Sequence, residues 1–424
     1  MTDVTDETAH HGYADACVPE AAQGSGWRIF FIVAGTMCGL PVFILSAHIF
    51  GSLGFRQGML AVLLGTTISA MLGACSAWCG SQTRMGLAML ADRAFGAWGA
   101  RIVKLVIGIS LLGWFGVNIG VLGATAATAL GQMSDWQIAP LLIGLPVCLA
   151  IAATTVRGAS SLERIGALLV PATAAILVLS VCLVRGKLGS VWITSGSGGL
   201  GFGGAVSAVV GSYIVGILIQ PDYGRFVRRP VHAALGTATA LGVAYPLVML
   251  GSSLASLSLG APELVSAMIR LGFGIPALAI LMMGAWIDSS ACLYSSSLTF
   301  ANQWPRISFP LIVGVIALIG AILVILGADT AFIPFLTGLG VALPPLASIL
   351  ILSGTLPSRS VKGMRWLAPS AWICGTGMGI VAMGPWITLS GLPALDSIIA
   401  GGIVYLTGWT FQARDSPPLG LADG

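Results

Sequence analysis

Charge is what this chain has least of. Lys, Arg, Asp and Glu together make up 8% of its 424 residues, against roughly 25% in an average soluble domain. So few ionic groups cannot solvate the surface of a water-soluble fold of this length, and 56% of the residues are apolar. The surface is therefore expected to face lipid. Histidine is scarce as well: of His10, His11, His48 and His232, the first two are neighbours in the N-terminal tail, and none clusters with a nucleophile within an apolar run. With no HExxH and no GxSxG, the zinc-hydrolase and serine-hydrolase classes lose their support, and no enzymatic activity or cofactor is implied. The eight cysteines form no CxxC. Cys75 and Cys79 share a helix face, where a soft metal is conceivable, but small packing residues are the better reading. Nothing before Ser25 resembles a signal peptide. Asp3, Asp6, Glu7, Asp15 and Glu20 stand where a basic segment would be needed, so residues 1–25 read as a short soluble tail.

What the chain does have is apolar runs, each near 20 residues and long enough to cross a hydrocarbon core of roughly 30 Å. We place helices at about 27–50, 57–80, 99–131, 136–156, 162–184, 203–221, 232–258, 274–301, 307–327, 331–353, 366–388 and 392–412. The 58 glycines suit close helix packing and interrupted membrane helices. Lys and Arg give the orientation. With a cytoplasmic N-terminus, only Arg56, Arg185, Lys187 and Arg270 of the nineteen basic residues fall outside, in keeping with the positive-inside rule. One helix more or fewer would destroy that pattern. The expectation is a multi-pass protein of the plasma (bacterial inner) membrane with both termini cytoplasmic. Its partners are the lipid bilayer and a small solute, with no nucleic acid.

Two runs carry breaks. The first span contains Gly35-Thr-Met-Cys38-Gly39-Leu-Pro41, and the sixth contains Gly211-Ser-Tyr213-Ile-Val-Gly216. Gly and Pro weaken the helical ladder there and free backbone groups, which lipid tolerates only beside a polar cavity. Breaks at matching places five helices apart point to a transport site at the midplane. The competing reading is glycine-mediated packing. Asp288 is the carboxylate nearest the middle of an apolar run. A charge there costs at least ~2.5–3.5 kcal/mol on insertion scales. With no Lys or Arg at its depth, a proton or a metal cation is the expected compensation, the alternative being a neutral Asp bonded to a neighbouring helix. Trp114 lies centrally in the third run, away from interfacial belts, with Asn118 one turn on, and offers a π-face to a flat ring. Tyr213 could offer the opposite face. Asp222 and Arg225, at the inner end of the sixth run, read as a structural ion pair with a gate as the alternative. Gly196-Ser-Gly198-Gly-Leu-Gly201 is a formal GxGxxG. It lacks the strand, helix and βαβ unit that a nucleotide loop needs.

At these residues the chain resembles the nucleobase–cation symporter family, the purine–cytosine permeases. The resemblance rests on 60–65, 113–117, 209–213 with 222–226, 293–302 and Pro344-Pro345, and runs from about Gly26 to Pro345. It implies an all-α, leucine-transporter-type fold of about twelve helices, with a 5+5 inverted repeat and two added helices. The corresponding divisions are a tail 1–25, a transport core 26–355, two C-terminal helices 356–413 and a tail 414–424. It also implies that Trp114 and Tyr213 sandwich the ring, with Asn118 contacting its edge. Gly39 and Gly216, in the two breaks, and Ser289, beside Asp288, complete the candidate wall. The family's sodium site corresponds to carbonyls of Gly35, Cys38 and Gly284, and its hydroxyl pair falls on Ile287 and Asp288. Where the family's cytosine carriers have polar amides this chain has Leu111 and Gly284, and where they have an aromatic it has Gly39. The expected function is therefore import of a nucleobase or related heterocycle (cytosine, purine, hydantoin, allantoin or thiamine-precursor type). It would be coupled to H+ or Na+ through Asp288 with Gly35, Cys38 and Gly284. A same-fold amino-acid or amine transporter is the main alternative. A channel fits poorly with an occluded aromatic site.

Overall fold

The computed structural model describes residues 18–19, 23–134, 137–156, 162–357, 366–384 and 387–414. Most of both expected tails and the basic residues Arg157, Arg359, Lys362 and Arg365 lie outside the described residues. Among the described residues every element is helical, apart from isolated bridges at Gly24–Val227 and Gly54–Ser195. The helices are α1 (Trp27–Thr36), α2 (Leu40–Thr83), α3 (Leu87–Ser134), α4 (Pro140–Thr155), α5 (Leu162–Val184), α6 (Phe202–Gly224) and α7 (Pro230–Leu259). They continue with α8 (Leu264–Arg270), α9 (Gly274–Gln303), α10 (Phe309–Ile325), α11 (Phe332–Ala342), α12 (Pro344–Thr355), α13 (Leu367–Met383) and α14 (Pro393–Arg414).

A straight α2 of 44 residues would be about 66 Å long, twice the hydrocarbon core. It does not run straight. Gly54 has φ 73° and ψ 174°, a conformation open to glycine and strained for other residues. Phe50 comes to lie on Gly58, and its ring is 5.6 Å from that of Phe55. Those contacts require the chain to fold back at Gly54, so α2 is two passages. Gly96 (φ 68°) bends α3 in the same way, before its long membrane segment. Among the described residues eight helices are long and apolar enough to cross a membrane, and α4, α10 and α13 are shorter apolar helices. With α2 split at Gly54 and α1 joined to its first half, the described helices make twelve passages, as the sequence predicts.

The first predicted break is present. α1 ends at Thr36, Gly39 is extended (φ −82°, ψ 154°), and α2 restarts with Pro41 in its first turn. Proline fits there because first-turn amides have no helical acceptor. The second predicted break is absent, because α6 runs unbroken through Val210–Gly216. Packing explains its glycines. A Cβ on Gly211 would meet the Leu336 carbonyl oxygen, and one on Gly340 the Ser207 carbonyl oxygen, each under 2 Å away. The two glycines let the α6 and α11 backbones touch, as small residues do in membranes. Later in the second half, α11 and α12 meet at a proline kink: Leu343, before Pro344 and Pro345, keeps helical dihedrals and its amide still bonds the Leu339 carbonyl, so the passage is bent there and not broken.

Serines tie the bundle together. Ser46 donates to the Met249 carbonyl (2.6 Å), Ser76 to Ile217 (2.8 Å) and Ser296 to Gly108 (2.8 Å). The GxGxxG stretch has a structural role too. Ser197 and Gly198 donate backbone N–H groups to the carbonyls of Gly51 and Ser52, both at 2.9 Å. The loop therefore seals the reversal at Gly54. Cys79 is buried against α12 while Cys75 is exposed, and no metal-holding group of His, Cys, Asp or Glu exists among the described residues.

Candidate functional site

Five segments converge on one cavity of about 160 Å³. The α1–α2 break contributes Thr36, Met37, Gly39 and Pro41. α3 contributes Leu111 and Trp114, and α6 contributes Ser212, Tyr213 and Gly216. α9 supplies Asp288, Ala291, Cys292 and Ser295, and α11 supplies Phe332. The α9 residues fall at i, i+3, i+4 and i+7, one face of a helix. The wall is mostly apolar with a few polar groups, the usual build of a small-molecule site.

The aromatic residues are held in place. The Trp114 indole meets Phe335 at 5.7 Å and Phe332 at 6.3 Å, both edge-on. Gly113 makes room for Phe335, since a Cβ there would be 2.8 Å from its ring. Tyr213 lies across Gly216, where a Cβ would be 2.6 Å from Cζ. Gln220 Nε2 donates to the Tyr213 hydroxyl at 3.3 Å. Thr237 Oγ1 in turn donates to Gln220 Oε1 at 3.3 Å.

Asp288 differs from the other carboxylates whose contacts are resolved. Glu263 accepts from the Val265 and Ser266 amides, Asp396 from Leu389 and Ser390, and Asp222 from the Leu87 amide at 3.1 Å. Each of these caps a helix end or a loop. Asp288 sits mid-helix, and Asn118 Nδ2 donates to its Oδ2 at 2.8 Å. Oδ1 has no hydrogen-bond partner among the described residues.

A family model described as "Permease for cytosine/purines, uracil, thiamine, allantoin" matches residues 17–354. The chain belongs to this family. It is a multi-pass transporter and not an enzyme. The cytosine permease of Escherichia coli strain K12 is 27% identical over 413 residues, covering 93% of this chain and 94% of that protein. Two structures of Mhp1 share the fold. One is the closed form of this nucleobase-cation-symport-1 family transporter with bromovinylhydantoin bound, at TM-score 0.74 and 18% identity, covering 96% and 97% of the two chains. The other is the inward-facing form, at TM-score 0.76 and 19% identity, covering 96% and 95%. A Na+-coupled sialic acid symporter gives TM-score 0.63 at 12% identity, covering 94% and 91%.

Within this permease, Trp114, Tyr213, Gly39, Gly216 and Asp288 all line the cavity. Asn118 and Ser289 do not. Asn118 is buried behind Asp288 and directs its amide to the carboxylate. Ser289 lies about 100° around α9 from Asp288, and its Oγ donates to the Ala285 carbonyl at 2.6 Å. Gly35, Cys38 and Gly284 are also off the wall, and the Cys38 thiol donates to the Ala34 carbonyl at 3.4 Å. Sequence reading missed Ser212, Ser295, Cys292, Thr36 and Phe332. Three of these have a readable signal: Cys292 and Ser295 share the Asp288 helix face, and Ser212 adjoins Tyr213 within the family-like stretch. The Asp222–Arg225 pair is loose (3.9 Å). Asp222 serves mainly to cap α3, in line with the structural reading.

Proposed function

We propose that this permease is a secondary active symporter that imports a flat nitrogen heterocycle of the nucleobase type, driven by a cation gradient that acts through Asp288. The observation that carries the reading is one cavity holding Trp114, Tyr213 and a mid-membrane carboxylate together. Aromatic faces suit a planar ring, and a carboxylate with one open oxygen suits a proton or cation. The names of the relatives agree, since a cytosine permease matches this chain over nearly its whole length and a nucleobase-cation symporter with a bound hydantoin shares its fold. The pairing of Asp288 with Asn118, together with Ile287 where the family has a hydroxyl, favours the proton over sodium. A carboxylate-and-amide pair accommodates a proton, whereas sodium calls for several oxygen ligands. The carbonyls of Gly35, Cys38 and Gly284 remain the positions through which sodium would act in its place. The Lys and Arg distribution favours cytoplasmic termini in a bacterial inner membrane. The ten-passage core of residues 26–355, with 356–413 added to it, is the proposed transport unit.

A thermal-shift screen of the purified protein tests the substrate class, because a ligand selective for the native state raises apparent stability. Stabilisation by one or more nucleobases or hydantoins, and not by amino acids or amines, supports it. Stabilisation by amino acids alone contradicts it.

A further inference from the structure

A second concavity lies apart from the substrate cavity, at the surface between α3 and α13. It is a groove of about 550 Å³ lined by Phe95, Trp98 and Ile102 of α3 and by Trp366, Pro369 and Trp372 at the start of α13. The turn at Gly96 (φ 68°) opens it, and nothing lies within 4 Å of a Cβ placed there. Phe95 and Trp372 meet edge-on at 6.3 Å. Trp372 Nε1 donates to the Ala342 carbonyl at 2.8 Å, so its polar end is used inside the bundle. Trp98 and Trp366 differ. They are 65% and 71% exposed although they line a groove, and neither indole N–H has a hydrogen bond among the described residues. Arg101 is exposed, one helical turn after Trp98 and next to Ile102. It makes no ion pair or hydrogen bond among the described residues. The nearby Asp92 faces Lys104 at 3.9 Å, and no acidic residue lines the groove.

We propose that this groove binds one anionic phospholipid, with an acyl chain over Phe95 and Trp372 and the phosphate at Arg101 and the indole N–H groups of Trp98 and Trp366. Indole and guanidinium groups donate hydrogen bonds and accept none. The groove therefore pairs an apolar aromatic floor with a rim of donors and positive charge. The matching occupant is apolar along its length and ends in a negative, acceptor-rich group, which is the build of a phospholipid with its ester carbonyls and phosphate. The depth agrees. Trp98 opens the long segment of α3 and Trp366 precedes α13, so both stand at the level where membrane tryptophans meet headgroups. In the proposed orientation that level belongs to the cytoplasmic leaflet, whose anionic lipids attract basic segments beside the membrane. The stretch 358–365, immediately before Trp366, carries Arg359, Lys362 and Arg365 and no acidic residue. A zwitterionic headgroup would bring its own cation toward Arg101, so the rim favours lipids of net negative charge. An ordinary aromatic belt contacts lipid without that preference.

The test is fluorescence quenching of the full-length protein in phosphatidylcholine vesicles. The probes are phosphatidylglycerol and phosphatidylcholine brominated on their acyl chains, since bromine quenches an indole that it touches. The signal of the groove is the difference between wild type and the double variant Trp98→Phe, Trp366→Phe. Both changes fall on exposed rings, and the two single variants give the same difference if the pair does not fold. Half-quenching of that signal should need about fivefold less brominated phosphatidylglycerol than brominated phosphatidylcholine, the effect of one basic residue beside an anionic headgroup. In Arg101→Gln the two lipids should become nearly equivalent. Soluble glycerol 3-phosphate should not relieve the quenching, because it has no chain to fill the apolar floor. Equal quenching of wild type by the two lipids overturns the inference and leaves a plain aromatic belt. A preference unchanged in Arg101→Gln overturns it as well, and relief by glycerol 3-phosphate would assign the groove to a free phosphate anion instead of a lipid.

Discussion

Asn118 Nδ2 lies 2.8 Å from Asp288 Oδ2, and this one hydrogen bond joins α3 to α9 at the back of the cavity. It changes what each residue is expected to do. Asn118 has its amide turned to Asp288, with Oδ1 buried and without a partner among the described residues. It acts on the substrate through the carboxylate that it orients. Asn118→Leu should therefore weaken every ring by a similar factor and impair concentrative uptake much as loss of Asp288 does. Removing the partner of a buried polar group costs about 1–3 kcal/mol, so binding should fall about 5- to 150-fold. Equilibrium binding of two different rings to the variant checks this. A selective loss for one ring would place Asn118 in direct contact with substrate.

Trp114→Ala should weaken ring binding by about 1–3 kcal/mol, the range for loss of one stacked aromatic. Trp114 also packs against Phe332 and Phe335, so the variant should lose thermal stability. Trp114→Phe separates the two effects, because it retains a stacking face and most of the packing. Binding measured for both variants at a temperature where each is folded reads the difference.

Tyr213→Phe and Gln220→Leu should be strongly non-additive. The Gln220 amide donates to the Tyr213 hydroxyl, so either change breaks the same contact. The double variant should bind no more weakly than the worse single variant, and a double-mutant cycle measures the coupling. Tyr213→Ala, which removes the ring face as well, should be worse than all three.

Gly211→Ala and Gly340→Ala should each reduce folded yield and melting temperature. The added methyl meets backbone, which cannot turn aside as a side chain can. Overpacking of this kind costs about 1–3 kcal/mol or more. Gly314→Ala is the control, because nothing lies within 4 Å of its Cβ position.

The same glycines show what was legible in the sequence. Composition gave the membrane class, and run length gave twelve passages. Pro41 made the first break readable, because proline in mid-run removes a donor and is tolerated where a helix restarts. Gly211 and Gly216 carried no such signal. Glycine serves a broken helix and a close helix contact equally well, and only the position of the Leu336 carbonyl decides between them. Asp288, Trp114 and Tyr213 were legible as single exceptional residues in apolar surroundings. Ser289 adjoins Asp288 in sequence, yet neighbours on a helix point 100° apart. Cys292 and Ser295, at helical spacing from Asp288, were the readable choice. That the Thr36 and Ser212 hydroxyls are tied back to the Val33 and Val209 carbonyls depends on side-chain rotamers, which no residue pattern encodes.

Asp288 gives the coupling its most direct test. Wild-type protein and Asp288→Asn are reconstituted in liposomes, and uptake of a ring identified by thermal shift is followed under an imposed pH gradient or an imposed sodium gradient. Proton symport through Asp288 predicts accumulation by the wild type with acid outside and no sodium. Asp288→Asn should lose that accumulation while keeping exchange of internal for external substrate. Concentrative uptake by Asp288→Asn equal to wild type under both gradients would contradict any role for Asp288 in coupling. Accumulation by the wild type that requires sodium and ignores pH would return the coupling to the carbonyls of the α1–α2 break.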